Sequence, residues 1–132
     1  MKIEHIGIAV KDLEKSNTLF TAILGQAPYK EELVESEAVR TSFFQTGESK
    51  IELLEATAER SAIHKHIEKR GEGIHHIAFG VDDIYAAMDR MKNEGFRCLN
   101  EVPKAGADNK LVCFFHPKDT NGVLIELCMD RP

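Results

Sequence analysis

No apolar run in this 132-residue chain approaches the roughly 20 residues that a membrane-spanning helix requires. The apolar start, MKIEHIGIAV, is broken by Glu4 and His5 and lacks a small-residue cleavage site. It therefore reads as a strand, with no signal peptide and a cytoplasmic address expected. Cysteine is scarce and unpaired in pattern: Cys98, Cys113 and Cys128 form no CxxC, so neither a disulfide framework nor a zinc-finger spacing is present. They are expected to be buried free thiols. There is no excess of positive charge. A formal net charge of −5 disfavours nucleic acid and anionic membrane as partners. No linker or low-complexity tract divides the chain, and its 30% charged and 42% hydrophobic residues are those of one soluble globular domain spanning residues 1–132.

What the sequence does contain is a repeat. His5-Ile6-Gly7-Ile8-Ala9-Val10-Lys11-Asp12-Leu13 is echoed by His76-Ile77-Ala78-Phe79-Gly80-Val81-Asp82-Asp83-Ile84, and the two histidines are 76 − 5 = 71 positions apart. Each half closes on a second match, Ile51-Glu52-Leu53-Leu54 and Ile125-Glu126-Leu127-Cys128, with 126 − 52 = 74 positions between the glutamates.

The coarse layout is also shared. An alternating strand opens each half, over residues 2–10 and 74–81. Asp12 or Asp83 then caps a helix, whose apolar residues are Leu13, Phe20, Ile23 and Leu24 in the first copy and Ile84, Ala87, Met88 and Met91 in the second. Gly25 and Gly95 are placed as helix stops. Three strands complete each half, over about 29–35, 38–46 and 50–56, and about 97–102, 111–116 and 123–129. Between the halves, Ser61 to Arg70 reads as a helix stopped by Gly71. The expected organisation is module 1 over about 1–58, a linking helix over about 59–71 and module 2 over about 72–132. His64 and His66, two apart on that helix, are expected to be solvated.

Strand alternation puts His5 on one face with Gly7 and Ala9, and His76 on one face with Ala78 and Gly80. Small residues beside a polar one suit a cavity or a closely approaching ligand. Glu52 and Glu126 each point away from an apolar face, and a carboxylate in the middle of a strand is costly unless it is paired or bound to a metal. Packing of the halves about a pseudo-twofold axis would bring His5, Glu52, His76 and Glu126 together as a divalent-metal site. His75 alternates with His76 and is expected to be a hydrogen-bonded packing residue rather than a ligand.

These residues resemble the vicinal oxygen chelate superfamily (glyoxalase/bleomycin resistance/dioxygenase) over the whole chain. The runs KIELLE (50–55) and KRGEGIHHIAF (69–79), His116-Pro117-Lys118, and the ending Gly122-Val123-Leu124-Ile125-Glu126-Leu127 are similar to its methylmalonyl-CoA epimerase family. Where similar epimerases carry a GAHGK-like loop, this chain has Gly106-Ala107-Asp108-Asn109-Lys110.

The resemblance implies an α+β fold in which two paired βαβββ modules form a curved mixed sheet around a metal site. It implies His5, Glu52, His76 and Glu126 as ligands, and a divalent ion, cobalt first, with manganese, magnesium, nickel or zinc as alternatives. It also implies a homodimer and an acyl-CoA substrate. The activity it implies is isomerisation at C2 of methylmalonyl-CoA by proton abstraction and return through an enolate, with Glu126 and Glu52 as acid and base on opposite sides. Lys110 and His116 would contact the substrate, and Lys104 and Lys118 are further candidates for its anionic groups. Glyoxalase I (lactoylglutathione lyase) is the alternative enzyme, disfavoured by the HHIAF and HPK segments. An iron dioxygenase would prefer two His and one carboxylate. A non-catalytic small-molecule-binding protein of the same fold would tend to lack the four-residue set.

Overall fold

The computed structural model describes all residues, Met1–Pro132. Eight strands and three α-helices make an α+β protein, in the order β1 (Lys2–Ala9), α1 (Leu13–Leu24), β2 (Lys30–Val34), β3 (Val39–Thr46), β4 (Ser49–Ala56), α2 (Ala62–Arg70), β5 (Gly73–Gly80), α3 (Ile84–Asn93), β6 (Lys104–Ala105), β7 (Lys110–Phe115) and β8 (Leu124–Asp130). The β-α-β-β-β sequence thus occurs twice, as the repeat requires. The chain divides into two compact units: His5–His75, and His76–Pro132 together with Met1–Glu4.

Within the first unit the strands are ordered β2-β3-β4-β1. β1 lies parallel to β4, and the other pairs are antiparallel. The parallel pair needs a long crossover, which α1, β2 and β3 supply. The Asp12 side chain accepts a hydrogen bond from the Lys15 N–H (3.1 Å) to start α1, and Gly25, at φ 74°, ends it in the left-handed conformation that glycine favours. α1 covers the sheet face that carries Val10, Phe44 and Leu53, through Leu13, Phe20 and Leu24. Ile23, expected on that face, is instead 62% exposed. At 100° per residue it lies about 80° around the helix from Leu13, off the stripe that Phe20 and Leu24 share. The other sheet face packs Ala9, Val39 and Leu54 against Ile63 of α2, whose start Ser61 caps through Ile63 N–H (3.2 Å).

The second unit repeats this arrangement in the order β5-β8-β7-β6, with β5 parallel to β8. Asp83 caps α3 through Ala86 N–H (3.1 Å), and α3 packs Ile84 and Met88 on Cys113, Phe115 and Leu127. One expected strand is not formed. Residues 97–102 run beside β7 but make only an isolated bridge, Cys98 to Phe115, while the edge strand is the two-residue β6. The ladder breaks because the Asn100 side chain, not a backbone carbonyl, accepts the Phe114 N–H (2.9 Å), and Pro103 has no N–H to give. β6 turns into β7 through Asp108 and Asn109, both at positive φ (57° and 56°), a conformation short polar side chains tolerate.

Candidate metal centre

In the first unit, Glu52 stands opposite Gly7 in the β1–β4 register, two residues along from His5. Glycine leaves the carboxylate room to lean back, and Glu52 Oε2 lies 2.9 Å from His5 Nδ1. The second unit builds an equivalent pair through the other imidazole nitrogen. Glu126 stands opposite Ala78, two residues from His76, and its Oε1 lies 3.3 Å from His76 Nε2. The small residues that share the histidines' faces are therefore what permits each approach. All four side chains are buried, with exposures of 4–5%. Both faces opposite are filled by the helix-packed cores, so each pair looks away from its helix.

Such burial strips water from a carboxylate, a cost tolerated only with a partner. Nitrogen and oxygen donors suit a first-row divalent ion. Two donors each about 2.1 Å from one ion stand about 3.0 Å apart at a right angle and about 3.4 Å apart at the tetrahedral angle. The N···O separations of 2.9 and 3.3 Å match that spacing, so each pair fits as two neighbouring ligands of an ion.

The remaining sequence candidates are placed as follows. Lys110 forms an ion pair with Asp130 and lies 3.9 Å from the buried Glu4, beside a cavity of about 630 Å³ that Lys2, Glu4, Gly80 and Asp130 also line. His116 caps the turn over Pro117–Asp119, its Nδ1 accepting from Lys118 N–H (3.1 Å). His75 is half-buried, with its ring edge-on to His66 at 4.9 Å. Burial, and then the neighbouring His66, hold its pKa down to about 4. It is thus a neutral packing residue at ordinary pH. His66 is half-buried in this contact rather than fully solvated, because α2 lays it against β5, whereas His64 reaches only Glu68 (3.5 Å) one turn on. The cysteines are free thiols, and burial, with Cys98 beside it, pushes Cys113 up to about 12, which removes it as a nucleophile.

Sequence reasoning missed two aromatic residues. Phe43 is the cross-strand partner of Glu52, and Phe114 that of Glu126. Their spacing was the available signal: 114 − 43 = 71, the offset of the two histidines.

Residues 4–114 match the pattern of the Glyoxalase/Bleomycin resistance protein/Dioxygenase superfamily. An ethylmalonyl-CoA/methylmalonyl-CoA epimerase of Cereibacter sphaeroides is 41% identical over 128 residues, covering 96% of this chain and 96% of its own. The crystal structure of methylmalonyl-CoA epimerase from Mycobacterium tuberculosis superposes with a TM-score of 0.94 at 34% identity, over 99% of this chain and 89% of that one. A methylmalonyl-CoA epimerase in complex with methylmalonyl-CoA and ammonium superposes with a TM-score of 0.92 at 38% identity, over 98% and 94% of the two chains. With two like His–Glu pairs on matching strands and identity of this extent, the chain belongs to the glyoxalase/bleomycin resistance/dioxygenase superfamily and, within it, to the methylmalonyl-CoA epimerases, a family of isomerases.

Proposed function

We propose that this chain interconverts (2R)- and (2S)-methylmalonyl-CoA by removing and returning the C2 proton, at one divalent-metal site formed by His5, Glu52, His76 and Glu126. The observation that carries the reading is the duplicated buried His–Glu pair in a chain so similar to these epimerases. A divalent ion, cobalt being the first choice, would supply Lewis-acid stabilisation of the charge that develops on the thioester oxygen as C2 loses its proton. His5 and His76 would hold the ion through imidazole nitrogens. Glu126 takes the proton from one face of C2, and Glu52, from the other half of the chain, returns one to the opposite face, because inversion needs a base on each side. The low exposure of both carboxylates keeps bulk water away from the enolate during the reaction, while each carboxyl group exchanges its proton with solvent between turnovers. Lys110 and His116 are assigned to the acyl-CoA, supported for Lys110 by the cavity beside it. The two halves work as one domain, and the protein acts as a cytoplasmic homodimer.

The test is deuterium entry at C2 of a single epimer in D2O, with a chelator-treated control. Metal-dependent exchange with formation of the other epimer is expected. Glu126→Gln should lose exchange by more than it loses metal affinity. The absence of exchange with cobalt, manganese, magnesium, nickel and zinc each restored would overturn the reading.

A further inference from the structure

The internal repeat extends past the four proposed ligands. In the first unit, Phe43 sits directly across from Glu52 on one side and from Lys30 on the other, and Lys30 Nζ stands 5.6 Å from the ring centroid. In the second unit, Phe114 sits across from Glu126, and Lys104 Nζ stands 5.8 Å from its ring centroid. Reading inward from the edge strand, the order Lys, Phe, Glu, His therefore falls on β2-β3-β4-β1 and again on β6-β7-β8-β5. The offsets agree: the lysines are 104 − 30 = 74 positions apart, as are the glutamates, and the phenylalanines share the 71 of the histidines.

A residue that only filled space at this place would need no ring. The ring has two uses. Its negative face takes the lysine ammonium. It also meets the imidazole edge-on: the Phe114 and His76 centroids are 5.9 Å apart with planes at 86°, the favoured geometry for an aromatic pair. An imidazole is free to flip about its Cβ–Cγ bond, exchanging Nδ1 with Cδ2 and Nε2 with Cε1. It is Nε2 of His76 that faces Glu126 at 3.3 Å, and a ring wedged against one side holds that choice.

We propose that Phe114, with Phe43 in the equivalent place beside Glu52, is a positioning residue. The Phe114 ring fixes the orientation of the His76–Glu126 pair beside it, under Lys104 seated on the ring. The inference rests on the metal reading above only for its effect on ion binding.

The experiment compares wild type, Phe114→Leu and Phe114→Tyr. Three quantities are read: the His76 imidazole nitrogen signals in metal-free protein by NMR, Co²⁺ affinity by chelator competition, and the visible spectrum of the Co²⁺ form. Outer contacts that orient a ligand are worth roughly tenfold or more in metal affinity. Phe114→Leu should therefore raise the Co²⁺ Kd roughly tenfold, alter the cobalt bands and mix the His76 tautomers. Phe114→Tyr, which keeps the ring, should track wild type in all three. If the leucine variant fails to fold, Phe114→Met, which fills irregular space, carries the same expectation. Wild-type affinity, spectrum and His76 signals in the ring-less variant would overturn the proposal. If wild type itself binds no Co²⁺, the metal reading falls alone, and the metal-free His76 signals still decide the role of Phe114: a change supports it and no change sinks it.

Discussion

Replacing Gly106 with alanine should damage this protein through a single neighbour. A Cβ at Gly106 would lie 2.8 Å from Val112 Cγ1 and 3.1 Å from Cγ2. Carbon atoms rest about 3.5–4.0 Å apart, so the worse contact is short by about 0.7 Å or more. Rotating Val112 by one rotamer step turns one methyl away from the glycine but leaves the other facing it. Nor can Val112 retreat freely, since it is 6% exposed and packed with Phe114 and with Ala78 and Cys128, which lie on the strands that carry His76 and Glu126. Overpacking of this kind costs about 1–3 kcal/mol. At this chain length about 4 °C of melting temperature follows each kcal/mol, so Gly106→Ala should melt about 4–12 °C lower.

Calorimetry of Gly106→Ala, Val112→Ala and the double variant tests the mechanism. Val112→Ala alone opens a cavity and should cost about 2 kcal/mol. In the double variant the new methyl occupies part of that cavity, and a favourable coupling of about 1–3 kcal/mol is expected. A single variant that melts with wild type, or a double variant whose losses simply add, would refute the reasoning.

Acid should weaken the fold partly through His75. Its pKa falls from 6.5 to about 4 on folding, chiefly by burial and then by His66, so the unfolded chain binds the extra proton between those values. Stability from this source is complete above pH 6.5, declines as pH falls towards 4 and levels off below. After allowance for partial exposure it amounts to about 2 kcal/mol, and His75→Gln should flatten the denaturation midpoint across that window. An unchanged slope in the variant would remove His75 as the source. In native protein, Cys113 and Cys128 should resist alkylation while Cys98 reacts first, because Cys113 is buried with its thiol pushed up to about 12. Peptide mapping after brief iodoacetamide treatment reads the order, and early labelling of Cys113 would contradict it. The Ser42 hydroxyl is buried without a hydrogen-bond partner, so Ser42→Ala should leave the melting temperature equal or higher, where a loss of more than about 1 kcal/mol would show a partner.

The sequence alone determined the plan of this protein. Strand and helix periodicities, repeated with the same aspartate caps, are local properties, and Asp12 and Asp83 cap helices in the structure as their positions require. The repeat likewise singled out His5, Glu52, His76 and Glu126, because alternation along a strand assigns faces without knowledge of the partner strand. Register lies outside that logic. That Glu52 stands opposite Gly7 and Glu126 opposite Ala78, close enough to meet the histidines, is set by strand pairing across dozens of residues. The same pairing placed Phe43 and Phe114 beside the carboxylates, and no local pattern marks a phenylalanine as anything but core. The segment at 97–102 has strand composition, but a side-chain amide at Asn100 took the place of a backbone acceptor, a competition decided only once β7 lies alongside. Ile23 is apolar and expected inward, yet it lies about 80° around the helix from Leu13, outside the stripe that α1 buries, and stays in solvent. Composition and periodicity are written in the order of residues, whereas register, helix orientation and the pairing of distant side chains depend on which long-range contacts bury the most surface together.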